Sequence, residues 1–322
     1  MRHRFLVLCV LAAVTVLGSL APTAGQTPTA ANRPTAPRTP WGDPDLQGIW
    51  SNTTTTRLER PAELAGKQVL TDQERAALDE QAAQRQDRRP PPGNTGAYNS
   101  FWLEGGRASS QTSLVIDPVD GRVPFTPEAR TRADAFNASI NGEGKADSWE
   151  DRNVYERCIT RGMPGAMMPG FYNHNYHILQ TPDYVVVLVE MIHDARIIPL
   201  DGRSHLPPSI RQWLGDSRGR WDGNTLVVET TNFTDRIKDT GLTVFGLSTN
   251  SRLIERFTRV GADTIEYQFT VDDAVTFTRP WTASIPMSRI EGPLFEYACH
   301  EGNYGLEDIL RGARAQEKAR SH

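Results

Sequence analysis

The chain has 322 residues, 38% of them apolar, with 35 Lys and Arg against 39 Asp and Glu for a net charge of −4. That balance excludes a nucleic-acid partner, because phosphate binding needs clustered Lys and Arg. Beyond the N-terminus no window is apolar enough to cross a bilayer, so no membrane span is expected.

Arg2, His3 and Arg4, the apolar run from Phe5 to Leu20 and the small residues from Ala21 to Gly25 predict a secretory signal peptide over 1–25, cleaved near Ala24. A secreted or periplasmic location follows, and loss of Arg2 and Arg4 takes the basic count from 35 to 33 against 39 acids, a net charge of −6. Residues 26–43, rich in Thr, Pro and Ala, read as a flexible linker. The remainder, 44–322, reads as one β-rich domain: an N-terminal wrapping segment over 44–150, a barrel over 151–304 and a C-terminal helix over 305–322.

The run from Pro44 to Ser51 predicts a first strand anchored by Trp50. Thr71 with Glu74 forms a capping box for a polar helix that Pro90, Pro91 and Pro92 stop. Thr112 to Asp117 reads as a strand, and Thr126-Pro127-Glu128 starts a second helix reaching about Ile140. Short strands then follow at about 174–180, 184–192, 194–200, 217–221, 224–231, 250–260, 264–272, 276–285 and 293–300, separated by turns such as Asp222-Gly223-Asn224. Many short antiparallel strands predict a barrel-like domain, lipocalin-like or a sandwich, rather than a parallel α/β sheet.

Cys9 lies in the leader, which leaves Cys158 and Cys299 in the mature chain. An even, minimal count in an oxidising compartment predicts one disulfide.

Chemistry concentrates between Tyr172 and His205. His174, His177, His193 and His205 fall here with Glu190, Asp194, Arg196, Asp201 and Arg203. Counted along one regular strand, Glu190, Asp194 and Arg196 share a face and His193 takes the other. An imidazole with an ordinary pKa of about 6.5 can serve as a general base, which makes His193 the first catalytic candidate. The expected bridge brings His300 and Glu301 towards it, and Glu190 and Arg196 complete the catalytic set. Tyr172, Asn175, Tyr176, Trp213, Trp281 and Tyr304 are candidate substrate-binding residues, since aromatic rings offer apolar faces with polar edges. His174, His177, His193 and His205 form an alternative metal set, although no His-x-His or His-Glu-x-x-His spacing supports it. Gly215-Asp216-Ser217-Arg218-Gly219 matches a nucleophile-elbow pattern, but a strand follows it where the elbow requires a helix.

The segments PDLQGIW, TSLVIDPVDGRVPFTPEA, RCITRGMPGAMMP, EMIHDARIIPLDGR, GDSRGRWDGNTLVVETTNFTD, ERFTRV, RPWTASIP and YACHEGNYG resemble those of a largely uncharacterised family of secreted β-rich proteins from environmental bacteria. The likeness runs in order over nearly the whole mature chain. It implies export and a β-rich body, and it carries no catalytic mechanism.

The expected function is an exported, cofactor-independent acid–base enzyme, a lyase, hydrolase or isomerase acting on a small polar, glycosidic or aromatic molecule in a barrel cavity. The alternatives are a non-catalytic small-molecule-binding barrel and a metal-dependent enzyme using the histidine cluster.

Overall fold

Alternating burial builds the body of the molecule. In strand β8 (Arg252–Gly261) Leu253, Glu255, Phe257 and Arg259 are buried, and in β9 (Thr264–Asp272) Ile265, Tyr267, Phe269 and Val271 are buried, with less buried residues, most of them Thr, Gln or charged, between them. A period of two gives each strand one inner and one outer face. The computed structural model describes residues 37–86, 103–138, 145–237 and 246–321. The leader, the linker up to residue 36 and the stop at Pro90–Pro92 lie outside the described residues.

The remaining strands are β1 (Gly48–Ser51), β2 (Val115–Asp117), β3 (Asn175–Gln180), β4 (Tyr184–Val189), β5 (Ala195–Pro199), β6 (Asp216–Asp222), β7 (Thr225–Thr231) and β10 (Trp281–Ile290). They form one antiparallel sheet in the order β5-β4-β3-β1-β10-β9-β8-β7-β6, with β2 added on β10. The ladder is not closed, because β5 and β6 each bond to a single neighbour. The sheet nevertheless curls until these two strands meet through side chains. Ile198 and Leu200 lie over Gly219, where a Cβ would stand 2.8 and 2.7 Å from their methyl carbons. Arg196 Nη2 reaches Ser217 Oγ at 3.3 Å across the same seam.

The inner face holds Trp50, Tyr176, Phe257, Tyr267, Phe269, Phe277 and Trp281, all fully buried. Burying each such ring removes roughly 150–250 Å² from water, so this cluster dominates the stability of the sheet. The described residues form one compact unit around it.

Helices sit where the caps placed them. In α1 (Asp72–Gln86) Glu74 N donates to Thr71 Oγ1 and Thr71 N to Glu74 Oε2, the reciprocal bonds of a capping box. Thr126 Oγ1 caps α2 (Pro127–Ala138), and Asn303 caps α3 (Tyr304–Arg320), a C-terminal helix with no buried residue.

Two expected strands differ. The one expected over 276–285 starts at Trp281, because Asp273 turns the chain by accepting from Ser248 N and Thr276 Oγ1. Its extension to Ile290 passes through Pro286, which sits on the edge between the pairings with β2 and β1, where a missing N–H breaks no ladder bond. Residues 293–300 are not a strand but an irregular strip bonded largely to side chains of the neighbouring turn.

Candidate active site

Because Trp50, Tyr176, Ile178, Val187 and Val189 point inward, their neighbours form the outer face of β10, β1, β3 and β4. Register arranges these neighbours in two cross-strand rows. Ser288, Ser51 and Asn175 make one row, and Ile290, Ile49, His177 and Leu188 make the other.

At the end of these rows the chain turns from β4 to β5 through a 3-10 turn, Met191–His193. Ile192 has φ 64° and His193 φ 51°, both left-handed. For a β-branched residue this conformation costs roughly 1–2 kcal/mol and persists only where its surroundings hold it. Three features hold it: Met191 and Ile192 are buried in the core, Val189 N donates to Asp194 O at 2.8 Å, and Glu190 N donates to Asn175 O at 2.9 Å. Burial pushes the Asp194 carboxyl up, while a hydrogen bond from Thr160 Oγ1 at 3.0 Å opposes that shift.

The turn breaks the parity on which the grouping of Glu190 with Arg196 rests. Glu190 lies on the outer side, whereas Arg196 points inward and is fully enclosed. There Nη1 and Nη2 of Arg196 contact Glu255 at 2.9 and 2.5 Å, and Tyr267 Oη donates to Glu255 Oε1 at 2.9 Å. Burial disfavours the Arg196 cation, and the Glu255 carboxylate more than offsets it, so its pKa is raised. Arg196 is a structural charge of the interior, not a partner of His193.

The strip 293–299 runs beside the second row. The Cys158–Cys299 disulfide, with S–S 2.00 Å, ties one end of it to the loop before β3, as the cysteine count predicted. Phe295 N donates to Glu190 Oε1 at 3.2 Å, and His193 Nδ1 lies 3.0 Å from the carbonyl oxygen of Tyr297. A carbonyl only accepts, so the Nδ1 of a neutral His193 carries the proton and Nε2 holds the lone pair. The strip, the turn and the second row enclose a groove of about 520 Å³ lined by Ile49, His177, Leu188, Glu190, His193 and Phe295, among others. Its walls are mainly apolar, and two imidazoles, the buried Glu190 and the exposed Glu296 supply its ionisable groups.

Glu190 is nearly sealed from solvent, and its Oε2 accepts from Asn175 Nδ2 at 2.7 Å. The same Nδ2 lies 3.0 Å from Glu104 Oε1, which also takes Asn173 N at 2.9 Å, while Glu104 Oε2 accepts from Thr53 Oγ1 at 2.8 Å. Glu104 is a site residue that sequence reasoning missed. It stands outside any periodic segment, and its partners lie more than 50 residues away in either direction.

The other expected site residues are dispersed. His300 and Glu301 are exposed at the approach to α3, and Glu301 lines a neighbouring cleft beside the disulfide rather than this groove. Tyr176 and Trp281 are wholly buried in the core and present no face to a ligand. Tyr172 is half-buried, edge-on to Phe171. Trp213 packs on the small cluster of Phe136, Val154 and Ile237, and Tyr304 is exposed at the first turn of α3. Asn175 alone of that set joins the site. Ser217 is buried and bonded to Thr230 Oγ1 at 2.9 Å.

The four histidines of the metal alternative also separate. His174 is buried against Arg161 at 3.2 Å, and His205 Nδ1 lies 2.8 Å from Asp216 Oδ2, while His177 and His193 share the groove. Among the described residues no group of three or more His, Cys, Asp or Glu is arranged to hold a metal ion. Burial first, and the Arg161 cation second, push the His174 imidazole down to about 3.

Compared with family models, curated proteins and solved structures, the chain matches none.

Proposed function

We propose that the protein is an exported acid–base enzyme, a lyase, hydrolase or isomerase, that works on a small molecule in the groove on the outer face of β1, β3 and β4. The observation that carries this reading is the bond between His193 Nδ1 and the Tyr297 carbonyl, which fixes the ring and leaves a basic Nε2 in an apolar groove. His177, in the second row, is the other proton carrier, and Glu190, held by Asn175 and Phe295 N, sets the field around both. The strained turn at Ile192 and His193 supports it, because strain of this kind collects where a side chain must be aimed. Export rests on the N-terminal pattern and accords with the disulfide. Among the described residues no helix is long and apolar enough to cross a membrane. The curled sheet reads as an incompletely closed, lipocalin-like barrel whose site lies outside the wall.

A second reading, a small-molecule-binding protein without catalysis, draws on the apolar walls of the groove and on the donors already bonded to Glu190. One experiment separates them. The mature protein is offered a panel of glycosides, esters and plant-derived aromatics, with products followed by mass spectrometry, beside His193→Gln and His177→Gln. The enzyme reading expects turnover that falls at least about 100-fold in His193→Gln with binding retained. Binding without product from wild type supports the second reading, and turnover untouched in both variants rules out the first.

A further inference from the structure

A second cavity of about 570 Å³ lies on the same outer face, beyond the Asn175–Glu190 contact. Ser51, Asn175 and Ser288 form its floor as the first cross-strand row, with Glu104, Arg107 and Ser109 at its side. Successive outward residues of a strand are about 7 Å apart, so the polar row and the apolar row lie side by side at the spacing of two linked rings. Each cavity falls within the roughly 300–1,000 Å³ usual for small-molecule sites.

The two compartments differ in chemistry. The first, between Ile49, Leu188 and Phe295, offers apolar area with His177, Glu190 and His193 at its border. The second offers hydroxyl, amide, carboxylate and guanidinium groups beside the apolar carbons of Ala108, Pro286 and Ile290. Ser51 Oγ lies 3.0 Å from Thr53 Oγ1, which in turn donates to Glu104 Oε2. Both signs of charge are present, from Glu104 and Arg107. Donors and acceptors so mixed match neutral hydroxyls, each of which gives one hydrogen bond and accepts others.

We infer that the substrate is a two-part molecule, a hydroxyl-rich ring joined to an apolar ring, in the manner of an aryl glycoside. Its polar ring lies over Ser51 and Asn175, and its apolar ring lies between Leu188 and Phe295. The junction falls beside Asn175 and Glu190, within the part of the groove that His193 and His177 border. This inference rests on the acid–base reading for the chemistry at the junction, and on the two compartments alone for recognition.

Calorimetric titration of the mature protein tests it, using a panel of 4-nitrophenyl glycosides of common hexoses and pentoses, the free sugars and free 4-nitrophenol. At least one aryl glycoside is expected to bind about tenfold or more tightly than either of its halves. Arg107→Ala should weaken that glycoside while leaving 4-nitrophenol unchanged, and Phe295→Ala should weaken both. The exposed positions of Arg107 and Phe295 keep these variants folded. No glycoside in the panel binding better than 4-nitrophenol overturns the inference, as does a loss on Arg107→Ala that is equal for both ligands. Turnover measured separately on His193→Gln keeps this failure distinct from that of the acid–base reading: a fall of about 10²- to 10⁴-fold supports the acid–base site whatever the titrations show. Turnover of a substrate without a hydroxyl-rich part, at a rate no lower than that of any glycoside, would sink the two-part substrate and leave the acid–base site standing.

Discussion

Two clusters of ionisable groups lie on opposite sides of the same wall, one on either side of the turn between β4 and β5. Inside, Arg196 and Glu255 are enclosed on every side and face each other in bidentate contact, with Tyr267 as a third member. Outside, His193, His177 and Glu190 border an open groove. The inner set is the tighter charge pair, and its charged ends are spent on one another. The outer set has one imidazole nitrogen fixed by a carbonyl and the other left basic. A dense cluster of charges therefore marks a functional site only where some group keeps reactivity beyond its structural bonds.

The contrast can be broken from either side. The largest effect is expected for the bridge that anchors the outer strip. Replacing Cys158 and Cys299 together by Ser opens a link across 141 residues and should lower stability by about 4–5 kcal/mol on the chain-entropy model, measured by urea unfolding. It should also release the Tyr297 carbonyl from His193, with loss of any turnover. On the inner side, Glu255→Ala strands the buried Arg196 cation and should cost about 3–5 kcal/mol. Arg196→Met with Glu255→Met should recover most of that loss, since well-packed apolar residues replace a buried pair at little net cost. A double variant as unstable as the single one would show that the pair does more than neutralise charge.

His193→Gln should behave in the opposite way to Glu255→Ala. Turnover should drop about 10²- to 10⁴-fold while the unfolding free energy falls by only about 1 kcal/mol, the worth of one exposed hydrogen bond.

His174, behind the turn, gives a graded test by pH. Its folded pKa of about 3 lies below the ordinary histidine value of 6.5, so the unfolded chain takes up the proton first. Stability is then full above about pH 6.5 and declines as pH falls towards about 3, by up to about 1.4 kcal/mol per unit. His174→Gln should flatten that slope. Gly170→Ala should damage the same contact, because its Cβ would fall 1.8 Å from His174 Nε2. It should cost about 1–3 kcal/mol unless the ring can swing away.

Much of the sheet was legible because alternation and turn residues are local signals. Strands β3, β4 and β6 to β9 start within about two residues of their expected positions, and the disulfide followed from a count of cysteines. The site was legible only in part. Glu190-Met191-Ile192-His193-Asp194 contains no Gly, Asn or Pro to announce a left-handed turn, so strand parity was carried through it and Arg196 was grouped with Glu190 on one face. Residues 293–300 read as a strand from their composition, yet they bond to the Glu190 carboxylate and the His193 ring, partners that no local pattern reveals. Glu104 was invisible for the same reason: its role is set by Thr53, Asn173 and Asn175, which only the folded chain brings together.

The central claim is that His193 presents a basic Nε2 to the outer groove because its Nδ1 is bonded to Tyr297. A two-bond nitrogen–proton correlation spectrum of histidine-labelled mature protein at alkaline pH tests this directly, with the His193 ring assigned by its disappearance in His193→Gln. The account predicts the Nδ1–H tautomer for that ring, and a ring found as the Nε2–H tautomer would contradict it.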